Sequence, residues 1–187
     1  MHLACRAWCR TYQTVFRIAL PILPYIEPRI LEHAEDVPAV LQKSSIQKVL
    51  IVTDPGIARL GLTASLERAL ASKGIGVTVY SETRANPTVS NVEEAAALYR
   101  ASDCRAIIGF GGGSAMDCVK GVGARIAQPN KPINKMRGLL RVHRLLPLLI
   151  AVPTTAGTGS EVTLAAVITD DETHYKYPIN DFVLIPR

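Results

Sequence analysis

CRAIIGFGGGSAMDCVKGVGARIA, residues 104–127, holds the change of character that decides the fold. CRAIIGF (104–110) is a short, β-branched apolar run of strand type. SAMDCVKGVGARIA (114–127) reads as a helix, and glycines 111–113 fill the junction. The spacing predicts a strand that delivers the chain to a tight turn and straight into a helix.

The same alternation extends in both directions. KVLIVTD (48–54), GVTVYSE (76–82) and LLIAVP (148–153) read as strands. GLTASLERALASKG (61–74) places Leu62, Leu66, Ala69 and Leu70 at helical spacing, with Gly74 at its C-terminal cap. SNVEEAAALYRASD (90–103) opens on Ser90 and Glu93, a capping-box pair. Strands alternating with helices imply βαβ units. The expected class is therefore α/β, a Rossmann-like, mostly parallel sheet with helices on both faces. Residues 128–147 carry three prolines and read as a surface excursion, and TLAAVITD returns to strand character.

In open parallel sheets ligands bind beyond the carboxyl ends of the strands. A helix that starts there presents amides without internal partners, and glycines let an anion reach the backbone. Gly111, Gly112, Gly113 and Ser114 are thus candidates to hold a diphosphate; a tight turn is the plainer account. Neither a P-loop lysine nor the sixth-position glycine of the Rossmann fingerprint is present. Met116 stands where a nucleophile elbow needs glycine. Asp54, after the first strand, suits ribose hydroxyls or a turn. PTTAGTGSEVT (153–163) brings hydroxyls and two glycines to the same sheet edge.

A hydrophobic content of 48% in 187 residues is enough for one good core, and no apolar run reaches membrane-spanning length. Net charge is +5, with the basic residues interleaved with acids except over 131–144, where a solvated loop face is expected rather than nucleic-acid binding. Cys104 and Cys118 read as small core residues, and the four cysteines as reduced thiols of a cytoplasmic protein. Arg6 and Arg10 precede an apolar run, but Arg17 and Pro21 interrupt it, so residues 1–26 are expected to form an extension, strand or hairpin rather than a secretory signal.

GGGSAMDCVKGVG and PTTAGTGSEVTLAAVITD, in this order and separation, closely resemble the iron-containing (group III) alcohol dehydrogenases, together with KVLIVTD, NPTVSNVEEAAALYR and the lysine of HYKY. The resemblance runs from about residue 27 to 187 and implies an NAD-binding α/β domain over 27–187. It implies that Asp54 favours NAD(H) over NADP and that Asn86 contacts the cofactor. Gly111, Gly112, Gly113 and Ser114 would form the diphosphate loop. Thr154, Thr155 and Thr158 would border the nucleotide, Thr163 and Val167 would continue that loop, and Lys176 would lie near the nicotinamide ribose. Asp117 falls in the GGGSxxD pattern; it either lies toward the nicotinamide or merely charges the first turn of its helix.

The implied chemistry is hydride transfer between an alcohol or aldehyde substrate and NAD(H), with Fe2+ or another divalent metal polarising the substrate oxygen. The family holds that metal with one Asp and three His in a helical C-terminal domain, and His2, His33, His143 and His174 match none of those positions. The expectation is the cofactor-binding half without metal ligands, acting as a homo-oligomer or with a complementing C-terminal chain. The competing expectations are a non-catalytic nucleotide-binding fragment and a sugar-phosphate cyclase of the dehydroquinate synthase kind.

Overall fold

The computed structural model describes residues 3–19 and 27–187. Its centre is a four-stranded parallel sheet of β1 (Lys48–Val52), β2 (Gly76–Tyr80), β3 (Ala106–Gly111) and β5 (Leu148–Pro153), in the order β2-β1-β3-β5. β3 pairs with β1 from Val49↔Ala106 to Val52↔Gly109 and with β5 from Ala106↔Leu148 to Gly111↔Pro153. Neighbours therefore end at one level, and the turns that follow them form one rim.

Successive residues of a strand face opposite sides of the sheet, and here both sides are covered. Val49 and Ile51 pack with Val37 and Leu41 of α2 (Val37–Lys43) and with Leu66 and Leu70 of α4 (Ala64–Ser72). Leu50 and Val52 pack on the other side with Val92, Ala95 and Ala96 of α5 (Val89–Ala101). Cys118, Val119 and Val122 of α6 (Gly113–Ala127) complete that layer. Val49 to Val52 are wholly buried; each such side chain contributes about 1.5–3 kcal/mol of hydrophobic stabilisation. Cys104 and Cys118 are core residues, as their neighbours in the sequence imply, and burial pushes the Cys118 thiol up to about 12.

Several elements differ from the sequence reading. Residues 3–19 form helix α1 (Leu3–Ala19) in place of a hairpin. Helical spacing sets positions 10 and 17 on one side and 8 and 15 on the other, a period that its β-branched residues obscured. Residues 20–26, including Pro21, lie outside the described residues. The cap of α5 is Thr88 rather than Ser90: Thr88 and Asn91 form the capping box, while Glu93 bonds Arg125 at 2.6 Å instead. Asn91 prevails because its amide also donates to Tyr80 Oη and Glu82 O, both at 3.0 Å, which ties the helix start to the end of β2. A short helix, α3 (Pro55–Arg59), follows β1 directly.

Residues 128–147 are only partly a surface excursion. Lys135, Arg137, Arg141 and Arg144 are exposed, as a solvated face requires. Ile133, Met136, Val142 and Leu146 belong to the core. The segment supplies β4 (Gly138–Leu139), which joins the antiparallel hairpin of β6 (Ala165–Thr169) and β7 (Lys176–Asn180) in a second sheet, β4-β7-β6. Ala166 and Ile168 of β6 pack on the same core as α6. The hairpin thereby comes to lie beside the rim of the first sheet.

Candidate functional site

In the strand order β2-β1-β3-β5 the chain steps from β1 to β2 on one side and then crosses to β3 on the other. The connections reverse between β1 and β3, and a crevice opens at such a switch point. A cleft of about 700 Å³ lies there, with residues from the turns after all four strands in its wall. Asp54 enters after β1, Arg84 after β2, Gly112, Gly113 and Ser114 after β3, and Thr154 and Thr155 after β5. A second, more apolar cleft of about 460 Å³ beside β5 contains none of the expected residues.

The floor of the first cleft is the start of α6. Gly111 turns the chain at φ +147°, where a Cβ would stand 2.9 Å from that of Ala115. Gly112 is the N-cap, in extended conformation and without a side-chain cap. The first amides of this 15-residue helix are therefore left facing the cleft, with the positive end of its dipole. A Cβ on Gly112 would meet Thr155 Oγ1 at 3.2 Å, and one on Gly113 would meet Ser160 Oγ at 3.3 Å. Bare backbone here is what leaves room beside the threonine loop. These residues fit a dinucleotide diphosphate: open amides, positive potential and no side chains in the way.

Asp54 has two faces. Its Oδ1 accepts hydrogen bonds from Gly56 N at 2.8 Å and Ile57 N at 3.0 Å, capping α3. Its Oδ2 lies on the side of the glycine turn, 3.3 Å from where a Cβ of Gly111 would be. Asp54 thus caps α3, as its turn reading expects, and also stands in the wall of the cleft.

Asn86, Ser114 and Lys176 come together from three separate elements. Asn86 N donates to Ser114 Oγ at 3.3 Å, and Lys176 Nζ donates to Asn86 Oδ1 at 2.9 Å. Asn86 takes the left-handed conformation, φ +61°, which asparagine tolerates better than most residues. Lys176 reaches it from β7, so the second sheet contributes directly to the rim.

Along the flank of α6, Thr158, Thr163 and Val167 are exposed and Asp117 is half-buried. Thr158 is 3.4 Å from the Cβ position of Gly113. Burial raises the Asp117 carboxyl, against a hydrogen bond from the Val167 backbone and the charge of Lys120. Asp117 is therefore tied to β6 through the Val167 backbone. Sequence reasoning missed Lys120, which is wholly buried and bonded to the loop after β5; a lysine on the apolar side of a helix was the available signal. It also missed Arg59 and Arg84, cations in the wall of the cleft.

Among the described residues no group of three or more His, Cys, Asp or Glu side chains comes together. They do not fit an iron centre. No described helix is long and apolar enough to cross a membrane.

The sequence model of the family described as iron-containing alcohol dehydrogenase matches residues 30–187. The chain is similar to a choline dehydrogenase of Bacillus subtilis (strain 168), 37% identical over 134 residues, covering 71% of this chain and 33% of the relative. Among solved structures, an alcohol dehydrogenase from Oenococcus oeni superposes with a TM-score of 0.80 at 34% identity, over 88% of this chain and 44% of that one. A sulfoacetaldehyde reductase from Bifidobacterium kashiwanohense, solved in complex with NAD+, superposes with a TM-score of 0.73 at 28% identity, over 88% and 44%. The chain thus spans a third to a half of the length of these relatives.

Proposed function

The chain belongs to the iron-containing alcohol dehydrogenase family, and from that premise we propose that it is the NAD(H)-binding half of an oxidoreductase that interconverts alcohols and aldehydes. The observation that carries this reading is the uncapped start of α6 at the switch point, framed by Asp54 on one side and Thr154 and Thr155 on the other. Bound there, the dinucleotide supplies or accepts the hydride.

The chain's own residues bind and orient. The amides that open α6 hold the diphosphate. Asp54 Oδ2 accepts from the adenosine ribose and repels a 2′-phosphate, so NADH is preferred to NADPH. The Ser114–Asn86–Lys176 chain of hydrogen bonds sets the floor toward the nicotinamide ribose. Metal ligands and most of the substrate pocket come from outside these residues, supplied by a complementing C-terminal region in the same or a second polypeptide. The setting is the cytoplasm, and neither nucleic acid nor membrane is a partner. The family match favours the dehydrogenase over the sugar-phosphate cyclase, and the intact cleft favours a working nucleotide site over an inert remnant.

The test is a fluorescence titration of the chain with NADH and NADPH, beside Gly112→Asp. The substitution drives a side chain at Thr155 and sets a negative charge where the phosphates belong, so NADH binding should fall at least about 100-fold while the far-ultraviolet circular dichroism is retained. Equal binding by parent and variant would refute the site.

A further inference from the structure

The hairpin of β6 and β7 grips the segment that follows β2 at three points. Thr169 N donates to Pro87 O at 2.8 Å, Ser90 N donates to Asp171 Oδ2 at 2.8 Å, and Lys176 Nζ donates to Asn86 Oδ1 at 2.9 Å. The gripped segment carries Asn86, whose amide donates to Ser114 Oγ where α6 opens. Residues 84–87 belong to neither helix nor strand, so no backbone ladder fixes them. Arg84, Ala85 and Asn86 are exposed, so core packing does not fix them either. On its inner side the turn is closed by Asn91, whose Oδ1 accepts from Arg84 N at 3.2 Å and Thr88 N at 3.3 Å. On its outer side the hairpin does this work.

The reach of Asp171 follows from the chemistry at both ends of its bond. Its neighbour Asp170 spends Oδ1 within the hairpin turn, on Glu172 N, Thr173 N and Thr173 Oγ1 at 3.1, 2.9 and 3.0 Å. Asp171 instead crosses to α5. There Thr88 Oγ1 accepts from Asn91 N, and Ser90 N, in the first turn, has no acceptor within the helix. The Asp171 carboxylate supplies one and sets its charge at the positive end of the helix dipole. Against desolvation, the Ser90 amide, the hydroxyls of Thr88 and Ser90 and the charge of Arg84 hold this carboxyl below the usual carboxylate range.

We propose that Asp171 is a positioning residue for the dinucleotide: it clasps the hairpin to the start of α5 and so fixes the turn that presents Asn86, and with it the Ser114–Asn86–Lys176 chain on the nicotinamide side. The proposal rests on the NAD(H) reading of the cleft. Asp171 stands outside the cleft wall, so it acts through Asn86 rather than on the ligand. The glycine turn is held by β3 and α6, and Thr154 is tied to it by its own backbone bond to Gly111 O. The diphosphate and adenosine end of the site therefore does not depend on the clasp.

The experiment compares the 187-residue chain with Asp171→Ala and Asp171→Asn by titration with NADH, by displacement of NADH with ADP and by amide hydrogen exchange. ADP carries the adenosine and the diphosphate and lacks the nicotinamide half. In Asp171→Ala, NADH affinity should fall about tenfold while ADP affinity stays within about twofold of the parent. Amides of 88–92 should exchange faster, and those of β1 and β3 should keep their protection. Asp171→Asn keeps an acceptor for Ser90 N, so its loss for NADH should be no more than about threefold. A folded Asp171→Ala with unchanged NADH affinity overturns the proposal. An equal loss for NADH and ADP also overturns it, because that is the mark of a general structural role. So does an Asp171→Asn that binds as weakly as Asp171→Ala, since the bond to Ser90 N would then not be what holds the turn. If Asp171→Ala does not fold, Asp171→Asn decides: a loss for NADH that ADP does not share supports the role, and a shared loss or none overturns it. A parent chain that binds neither NADH nor ADP defeats the functional reading and the positioning role with it, and is distinguishable from a parent that binds both beside a variant that binds both equally.

Discussion

The two walls of the cleft are built on different principles. One wall is the glycine turn, pressed between β3 and α6, whose neighbours Ile107, Ile108, Val119 and Val122 are core residues. The other is the threonine loop, exposed from Thr154 to Thr158 and tied by a backbone hydrogen bond at one end and Lys120 at the other. Hydrophobic packing places the first wall wherever the sheet forms. The second depends on polar bonds at a few points, and loss of one of them moves it without unfolding the sheet. A packed floor beside an adjustable wall suits a ligand that must enter and leave.

The sharpest way to break the comparison is to attack the packed wall. Gly109 lies in β3 where a Cβ would stand 2.6 Å from Val119 Cγ1 and 3.3 Å from its Cβ. Helix α6 would have to move off the sheet to admit a side chain. Gly109→Val should cost about 3 kcal/mol or more, read as a lowered urea midpoint with the slope unchanged. A loss below about 1 kcal/mol would show that α6 is not seated as tightly as the geometry states.

The second wall has a pH signature. Burial lowers the Lys120 ammonium to about 8 from the usual 10.5, against the pull of Asp117 and Glu161. Between those values the folded chain holds fewer protons on this group than the unfolded chain does. Its contribution to stability therefore rises with pH across that window and is lowest, and constant, below it. Urea midpoints of the parent and Lys120→Met at pH 7 and pH 10 should show the parent gaining relative to the variant. Parallel midpoints would mean that the amine is not held as a buried cation.

The packed wall is also the part that the sequence makes legible. Apolar runs bounded by glycine and helices of period 3.6 located β1, β2, β3, β5, α4, α5 and α6 to within a few residues, because each is fixed by burial of its own side chains. Gly74 does cap a helix end, with φ +72°. The cap of α5 was misplaced because Asn91 is chosen by Tyr80 and Glu82, which are distant in sequence. Lys120 escaped notice for the same reason: its partners lie 40 to 45 residues away. Ser114 was named from the glycine junction and Asn86 and Lys176 through a family resemblance; the contact of Lys176 with Asn86 arises from the second sheet, which residues 128–147 conceal behind prolines and basic residues. Local patterns report local burial; the polar bonds that set the adjustable wall are long-range.

The smallest expected effect on stability belongs to Asp54, and it separates the two roles of that carboxylate. Asparagine is as good an N-cap as aspartate. In Asp54→Asn the amide oxygen keeps the bonds from Gly56 N and Ile57 N, so α3 stays capped and stability should change by no more than about 0.5 kcal/mol. The charge facing the glycine turn is lost. NADPH affinity should then rise severalfold relative to NADH, because the 2′-phosphate no longer meets a carboxylate. Titration with both dinucleotides reads the ratio directly. An unmoved ratio with unchanged stability would leave Asp54 as a helix cap alone, beside Arg59 and Arg84, cations in the same wall that favour a 2′-phosphate rather than exclude it.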